Sequence, residues 1–232
     1  MQLFFAENLE SDIYTLSEEE SKHCVRVLRM AVGDEIFLTD GRGTRCRCRI
    51  VEAHPKHCVV EVVERQRDFE KHPFFLHVAV APTKNSARME WFVEKAVEMG
   101  IDEITPVVCD HSERCTLKQE RLEKIAVSAM KQSLKTYKPQ VNGPTPFDAL
   151  LSTPFDGQRF IAYCDGDHRT PLRSLYQPGG NALILIGPEG DFSPEEVSAA
   201  LDAGFLPVTL GPCRLRTETA ALAAVAFFNL SN

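Results

Sequence analysis

Two glycine-proline segments near the C-terminus constrain this chain most. The first runs Leu183-Ile184-Leu185-Ile186-Gly187-Pro188-Glu189-Gly190-Asp191-Phe192-Ser193-Pro194-Glu195-Glu196, and the second Leu210-Gly211-Pro212-Cys213-Arg214-Leu215-Arg216-Thr217-Glu218-Thr219-Ala220. Each reads as a buried strand, a Gly/Pro turn and a helix start. Ser193 is a good N-cap, Pro194 suits the first helical position, and Glu196 completes a capping box three residues on. Gly204 closes that helix. Thr217 or Thr219 can cap a last helix whose Ala220 to Phe228 stretch is almost wholly apolar. Gly187, Gly190 and Gly211 let the backbone turn sharply or approach a ligand without a Cβ in the way. One such turn reads as a plain βα connection. Two of them, each with charged neighbours, place two loops at the C-terminal edge of an α/β sheet, where open sheets of this class bind ligands.

The rest of the chain divides by pattern. Residues 1–72 read as a small β-rich domain: a helix over Ser17 to Met30 opened by a Ser17…Glu20 capping box, then strands at Glu35–Thr39, Thr44–Val51 and Cys58–Glu64. Thr44–Val51 alternates strictly, with Arg45, Arg47 and Arg49 on one face and Cys46, Cys48 and Ile50 on the other. The charged stretch Glu64 to Pro73 marks the boundary. A second domain, 73–232, alternates strands (Phe74–Ala81, Ile104–Cys109, Arg159–Cys164, Ala182–Ile186, Val208–Leu210) with helices (Ser86–Met99, Leu117–Thr136, Pro194–Ala203, Thr217–Leu230). This is the grammar of a mainly parallel sheet covered on both faces, and pattern alone predicts a doubly wound open sheet. Val80-Ala81-Pro82-Thr83-Lys84, after the first strand of that sheet, contains no glycine, which argues against a Rossmann dinucleotide site; no P-loop is present.

Charged residues make up 25% and apolar residues 44%, an ordinary globular composition. No apolar run reaches membrane-spanning length and no signal-peptide pattern stands out, so a cytoplasmic protein is expected, without membrane association. Eight cysteines include no C-x-x-C pair and read as reduced core residues, with no metal expected. The net charge of −7 argues mildly against indiscriminate nucleic-acid binding. Its distribution matters more: residues 22–49 hold Lys22, Arg26, Arg29, Arg42, Arg45, Arg47 and Arg49 against Asp34, Glu35 and Asp40.

The pair "IGPEGdFSpeE" and "LGxxxLRTETA" resembles the bacterial 16S rRNA uridine N3-methyltransferases, the RsmE-like branch of the SPOUT class. The resemblance covers the whole chain. His23, Val27-Leu28-Arg29, Gly33-Asp34 and Asp40-Gly41 sit where that family has its N-terminal pattern. Lys84, Arg88-Met89-Glu90-Trp91, Lys95, Glu98 and Gly100, and then Gln132-Ser133, fit its central motifs. The resemblance implies an N-terminal PUA-like β-barrel that binds RNA and a C-terminal α/β domain whose trefoil knot forms a pocket for S-adenosyl-L-methionine (SAM). It assigns cofactor contacts to Leu185, Ile186, Gly187, Pro188, Glu189 and Gly190 in the first segment. In the second it assigns them to Leu210, Gly211, Leu215, Thr219 and Ala220. The end of the strand Ile161-Ala162-Tyr163-Cys164-Asp165 would form a third wall. It also implies a homodimer, with the small-residue last helix as a candidate interface or a core helix.

Methylation of uridine N3 needs removal of its proton and stabilisation of the imide anion. A fixed arginine does the second and a carboxylate the first. Arg216 is the expected anion stabiliser, with Glu189 or Glu218 orienting it or accepting the proton; a plain Arg216–Glu218 salt bridge is the structural alternative. RNA contact falls to Arg45, Arg47 and Arg49, a one-sided basic row suited to phosphates, to His23, Arg26 and Arg29 on the preceding helix, and to Lys84 and Arg88. The solvated-surface alternative stands beside that reading. In Arg88-Met89-Glu90-Trp91 the apolar pair reads as packing. The chain departs from the family pattern at Asp191, where glycine is common, and at Cys213-Arg214, where an arginine is displaced by one position. Lys135 stands in place of a further arginine. The substrate expected is 16S rRNA in the 30S subunit. The alternatives are a SPOUT methyltransferase acting on tRNA or another RNA site, or a non-catalytic RNA-binding assembly factor.

Overall fold

The computed structural model describes residues 2–164 and 170–232. They form two compact units, Met1–Lys71 with Val127–Lys138, and His72–Ala126 with Pro139–Asn232.

The first unit holds β1 (Leu3–Phe5), β2 (Ile13–Thr15), the short helix α1 (Glu18–Lys22), β3 (Glu35–Thr39), β4 (Arg45–Glu52) and β5 (Val59–Gln66). They form a sheet in the order β1-β3-β4-β5-β2, with β1 parallel to β3 and the other pairs antiparallel. Alternation along β4 buries Cys46, Cys48 and Ile50 in a core with Phe4, Ile36, Leu38 and Val60. Burial pushes the Cys24 and Cys48 thiols up to about 12, so they behave as small apolar groups.

The expected helix over Ser17 to Met30 is shorter and broken. The Ser17 hydroxyl accepts the Glu20 N–H at 3.2 Å, but the Glu20 carboxylate takes the Lys131 ammonium at 2.6 Å, so the capping box is half formed. After Lys22 the backbone widens into a π-helical turn over His23–Val27, and Arg29 sits at φ 57°, which ends the helix. The segment after Val127 completes this unit. The Thr136 carbonyl accepts from the Gly43 N–H at 3.0 Å and from Thr39 Oγ1 at 3.2 Å. Gly43 (φ 95°) must be glycine, because a Cβ there would overlap the Tyr137 hydroxyl.

The second unit begins with β6 (Leu76–Val80), α2 (Ser86–Met99), β7 (Glu103–Val108) and α3 (Gln119–Gln132), whose last residues belong to the first unit. It continues with β8 (Gln140–Val141), β9 (Thr145–Pro146), α4 (Phe147–Leu151), β10 (Gln158–Ala162), β11 (Thr170–Pro171) and α5 (Leu172–Leu175). It ends with β12 (Ala182–Ile186), α6 (Pro194–Asp202), β13 (Leu206–Thr209) and α7 (Thr217–Ser231). Among the described residues the sheet order is β11-β13-β10-β12-β6-β7-β8, with β9 also on β7, and every pair is parallel. Strands β6 and β12 are buried along their whole length, as strands sandwiched between helices must be.

Leu183, Leu185, Ala79 and Ile161 face Phe147 and Leu150 of α4 and Ala200 of α6. The opposite face takes α2 and α7; the Phe160 ring lies 6.1 Å from Phe228. The buried aromatic of α2 is Phe92, while Trp91 is 43% exposed, which corrects the sequence expectation. The last strand starts two residues earlier than expected, at Leu206–Thr209, and lies outside β10. The chain then returns to lay α7 on β6 and β12.

Candidate active site

Strands β10, β12 and β13 end together. Ala162 pairs with Ile186 and with Val208, so their following loops share one edge. A cavity of about 1000 Å³ opens there. Its walls are Ala162, Tyr163 and Cys164 at and after the end of β10, Thr209 to Leu215 at and after the end of β13, and Asp191 in the turn after β12. Ala220, Ala223 and Phe227 of α7 form a further wall, and Arg173 of α5 also lines it.

The cavity thus takes Leu210, Gly211, Leu215 and Ala220 from the expected cofactor set. Leu185, Ile186, Gly187 and Pro188 are buried beneath this edge, and Glu189 and Gly190 are exposed beside it; none of the six is a lining residue. Thr219 and Arg216 are exposed and also outside the lining set. Asp165, expected in the third wall, lies outside the described residues. Sequence reasoning missed Arg173, Ala223 and Phe227. The last two were findable, since Ala220, Ala223 and Phe227 share one face of a helix. Arg173 lies in a four-residue helix that no periodicity marks.

The turn after β12 is heavily braced. Ser193 and Glu196 form the full capping box. Glu196 Oε1 also accepts the Asp110 N–H at 2.9 Å, and the Ser193 hydroxyl donates to Asp110 Oδ2 at 2.7 Å. His111 Nδ1 lies 3.1 Å from the Gly190 carbonyl and 3.0 Å from that of Asp191, so this nitrogen carries the proton and donates. The Thr217 hydroxyl donates to the Gly187 carbonyl at 3.0 Å; it ties α7 to the first glycine turn and does not cap α7, whose N-cap is Arg216.

The acid candidates differ sharply. Glu189 is exposed and accepts the Lys84 N–H at 3.2 Å, while Lys84 Nζ pairs with Glu113 at 2.7 Å. Glu218 is buried, its side chain 9% exposed. Its Oε1 lies 3.7 Å from Arg88 Nε, and Oε2 has no hydrogen-bond partner. The cation facing Glu218 is therefore Arg88. Lys84 and Arg88, expected on RNA, are both placed against carboxylates.

In the first unit the arginine row is partly engaged. The Arg45 guanidinium lies 4.5 Å from the Phe37 ring and 4.2 Å from the Phe69 ring, and Arg47 bridges Glu35 (3.0 Å) and Glu64 (3.3 Å). Arg49, His23, Arg26 and Arg29 are exposed. Five cysteines are buried as expected, but Cys115, Cys164 and Cys213 are exposed, because Cys164 and Cys213 belong to cavity-lining loops and not to the core.

Residues 70–229 match a family described as an RNA methyltransferase domain, and residues 16–63 one described as an RNA methyltransferase PUA domain. The chain belongs to this RNA methyltransferase family. Ribosomal RNA small subunit methyltransferase E of Bacillus subtilis is 28% identical over 97% of this chain and 95% of its own length; that of Aquifex aeolicus is 26% identical over 97% and 98%. Among solved structures, a probable rRNA-methyltransferase from Porphyromonas gingivalis is 46% identical, with a TM-score of 0.93 over 99% of this chain and 98% of that one. The Neisseria gonorrhoeae ribosomal RNA small subunit methyltransferase E, bound to S-adenosyl methionine, is 27% identical, with a TM-score of 0.90 over 99% and 97%. The family membership makes the first unit PUA-like and the second the methyltransferase domain.

Within this family the Asp191 departure has a geometric explanation. Asp191 sits at φ 64°, in the left-handed region that glycine occupies freely and aspartate tolerates better than most residues.

Proposed function

We propose that this chain is a SAM-dependent methyltransferase of the RsmE-like SPOUT branch that methylates N3 of a specific uridine in 16S rRNA of the small ribosomal subunit. The observation that carries the reading is the cavity at the C-terminal edge of the parallel sheet, walled by the glycine-bearing loop after β13 and by Asp191 of the turn after β12, in a chain of the RNA methyltransferase family. Its size and its apolar walls with exposed loop backbone suit a cofactor with an adenine ring at one end and a charged amino acid at the other. Leu210, Leu215 and Phe227 would flank the ring, with Gly211 backbone at its edge. When bound, SAM supplies an electrophilic methyl group. Arg216, exposed at the start of α7, meets the imide anion, and Glu189 or Glu218 orients the base or takes its proton. Glu218 has the stronger geometric case, because it is buried with an oxygen unpartnered.

The N-terminal unit is the RNA-binding part, and Arg49, Arg26, Arg29 and His23 are its available groups, joined by Arg45 and Arg47 where their present partners yield. The trefoil knot belongs to the same reading; it is supported by the strand order, with β12 between β10 and β6 and β13 outside β10, and by the return of α7 to β6 and β12. The active form is a homodimer. Of the faces of α7, one is core and one lines the cavity, which leaves Leu222, Ala226 and the 88%-exposed Leu230 for a partner. The enzyme works where small subunits are assembled, in the cytoplasm.

The test is methyl transfer from tritiated SAM to 30S subunits and to naked 16S rRNA that lack 3-methyluridine, followed by nucleoside mass spectrometry. A 3-methyluridine product is expected. Transfer to tRNA alone, or SAM binding with no transfer to any RNA, would replace this reading.

A further inference from the structure

Asp191 carries more structure than its place in a turn requires. Its Oδ2 accepts the Cys164 N–H at 2.7 Å, its Oδ1 accepts the Phe192 N–H at 2.9 Å, and its own N–H donates to the Pro188 carbonyl at 3.0 Å. Cys164 belongs to the stretch after β10 and Asp191 to the turn after β12, and both line the cavity. The carboxylate therefore joins two walls of the cavity directly. His111 holds the same turn from outside through the Gly190 and Asp191 carbonyls, so the clamp pulls Cys164 against a fixed point. A glycine at this position would adopt φ 64° at no steric cost but would have no acceptor for the Cys164 N–H. The chain accepts the less favourable conformation and gains two charge-assisted hydrogen bonds.

We propose that Asp191 is a positioning residue for the cofactor: it fixes the Tyr163-Cys164 wall against the turn after β12 and so presets the cavity for SAM. The assignment rests on the SAM-dependent reading above. With both oxygens occupied by backbone N–H groups, the carboxylate acts through the wall it holds and not by touching the reacting atoms. Its removal therefore affects cofactor affinity more than turnover.

The experiment compares the full-length wild type with Asp191→Gly, Asp191→Asn and Asp191→Ala. SAM and S-adenosylhomocysteine binding are measured by calorimetry, kcat and KM by methyl transfer, and Tm by scanning fluorimetry. Asp191→Gly is expected to weaken SAM binding about tenfold, with kcat at saturation within about twofold and Tm unchanged or raised, because glycine suits the backbone there. Asp191→Asn keeps one acceptor for Cys164 and sets an amide N–H₂ against the Phe192 N–H, so it should fall between glycine and wild type in Kd. Asp191→Ala loses the acceptors and keeps the unfavourable φ, so it should lose both affinity and Tm. A glycine variant with wild-type Kd, or affinities that follow Tm across the series, would overturn the assignment. A wild type that binds neither nucleoside would overturn the cofactor reading itself.

Discussion

At the residue scale, two charged side chains at the start of α7 have separate surroundings. Arg216 and Glu218 are two apart, so on a helix they do not face each other. Arg216 occupies the N-cap position of α7 without a side-chain cap bond and is exposed, while Glu218 turns inward to Arg88. Under the proposed chemistry Arg216 is the group that meets the developing anion. Arg216→Ala should lower kcat by about 10²-fold or more, the loss typical of removing one donor to a transition-state anion, and leave SAM affinity unchanged. Single-turnover transfer together with calorimetric titration of SAM would separate the two effects. Full turnover in that variant would remove the arginine from the chemistry.

At the scale of elements, the sheet is held to its covering helices at the end opposite the cavity. His72 stands before β6; its Nε2 meets Asn229 Oδ1 of α7 at 3.0 Å and its Nδ1 lies 3.5 Å from Asp102 Oδ2. Asn229 also donates to the Gly100 carbonyl at 2.8 Å, which joins α7 to the end of α2. The Asp102 carboxylate beside His72 raises its pKa above the ordinary 6.5. A raised folded-state pKa means that the protonated imidazole stabilises the fold. That contribution is complete below about pH 6.5, the unfolded value, and is lost as pH rises through the folded value. The Tm of wild type over His72→Gln should therefore be largest in mild acid and shrink toward pH 8. A gap that is constant across this range would show that the imidazole contributes through packing alone.

At the scale of the whole molecule, α7 does three things at once. Ala221, Ala224, Val225 and Phe228 are core, Ala220, Ala223 and Phe227 wall the cavity, and Leu222, Ala226 and Leu230 remain outward. A helix that is apolar all round is accounted for when every side has a neighbour; on the outward stripe Leu222 and Ala226 are half-buried and Leu230 is exposed. Under the proposed homodimer the wild type should run by light scattering at about twice the 26.0 kDa chain mass, and Ala226→Asp with Leu230→Asp should run as a monomer with reduced activity. A monomeric wild type at micromolar concentration would withdraw the dimer.

The local chemistry was legible in the chain itself. Strict alternation set β4, because a period of two can bury Cys46 and Cys48 only as a strand. Ser193-Pro194-x-Glu196 set the start of α6, because a cap is made by neighbours in sequence. The two glycine turns were legible for the same reason, and both follow strands that end at one edge of the sheet. What depends on distant partners was not legible. The capping box at Ser17 is half formed because the Glu20 carboxylate pairs with Lys131, more than a hundred residues away. Glu218 faces Arg88, Asp191 faces Cys164, and Arg173 reaches the cavity from an element too short to have a period. Strand order was equally hidden: nothing in the strand made by Leu206–Thr209 says that it lies beyond β10. Sequence determined most of the strands, helices and turns, since propensity, capping and periodicity act over a few residues. Tertiary structure alone decided which walls meet and which charges pair, since those contacts are set by packing between segments that the chain itself keeps far apart.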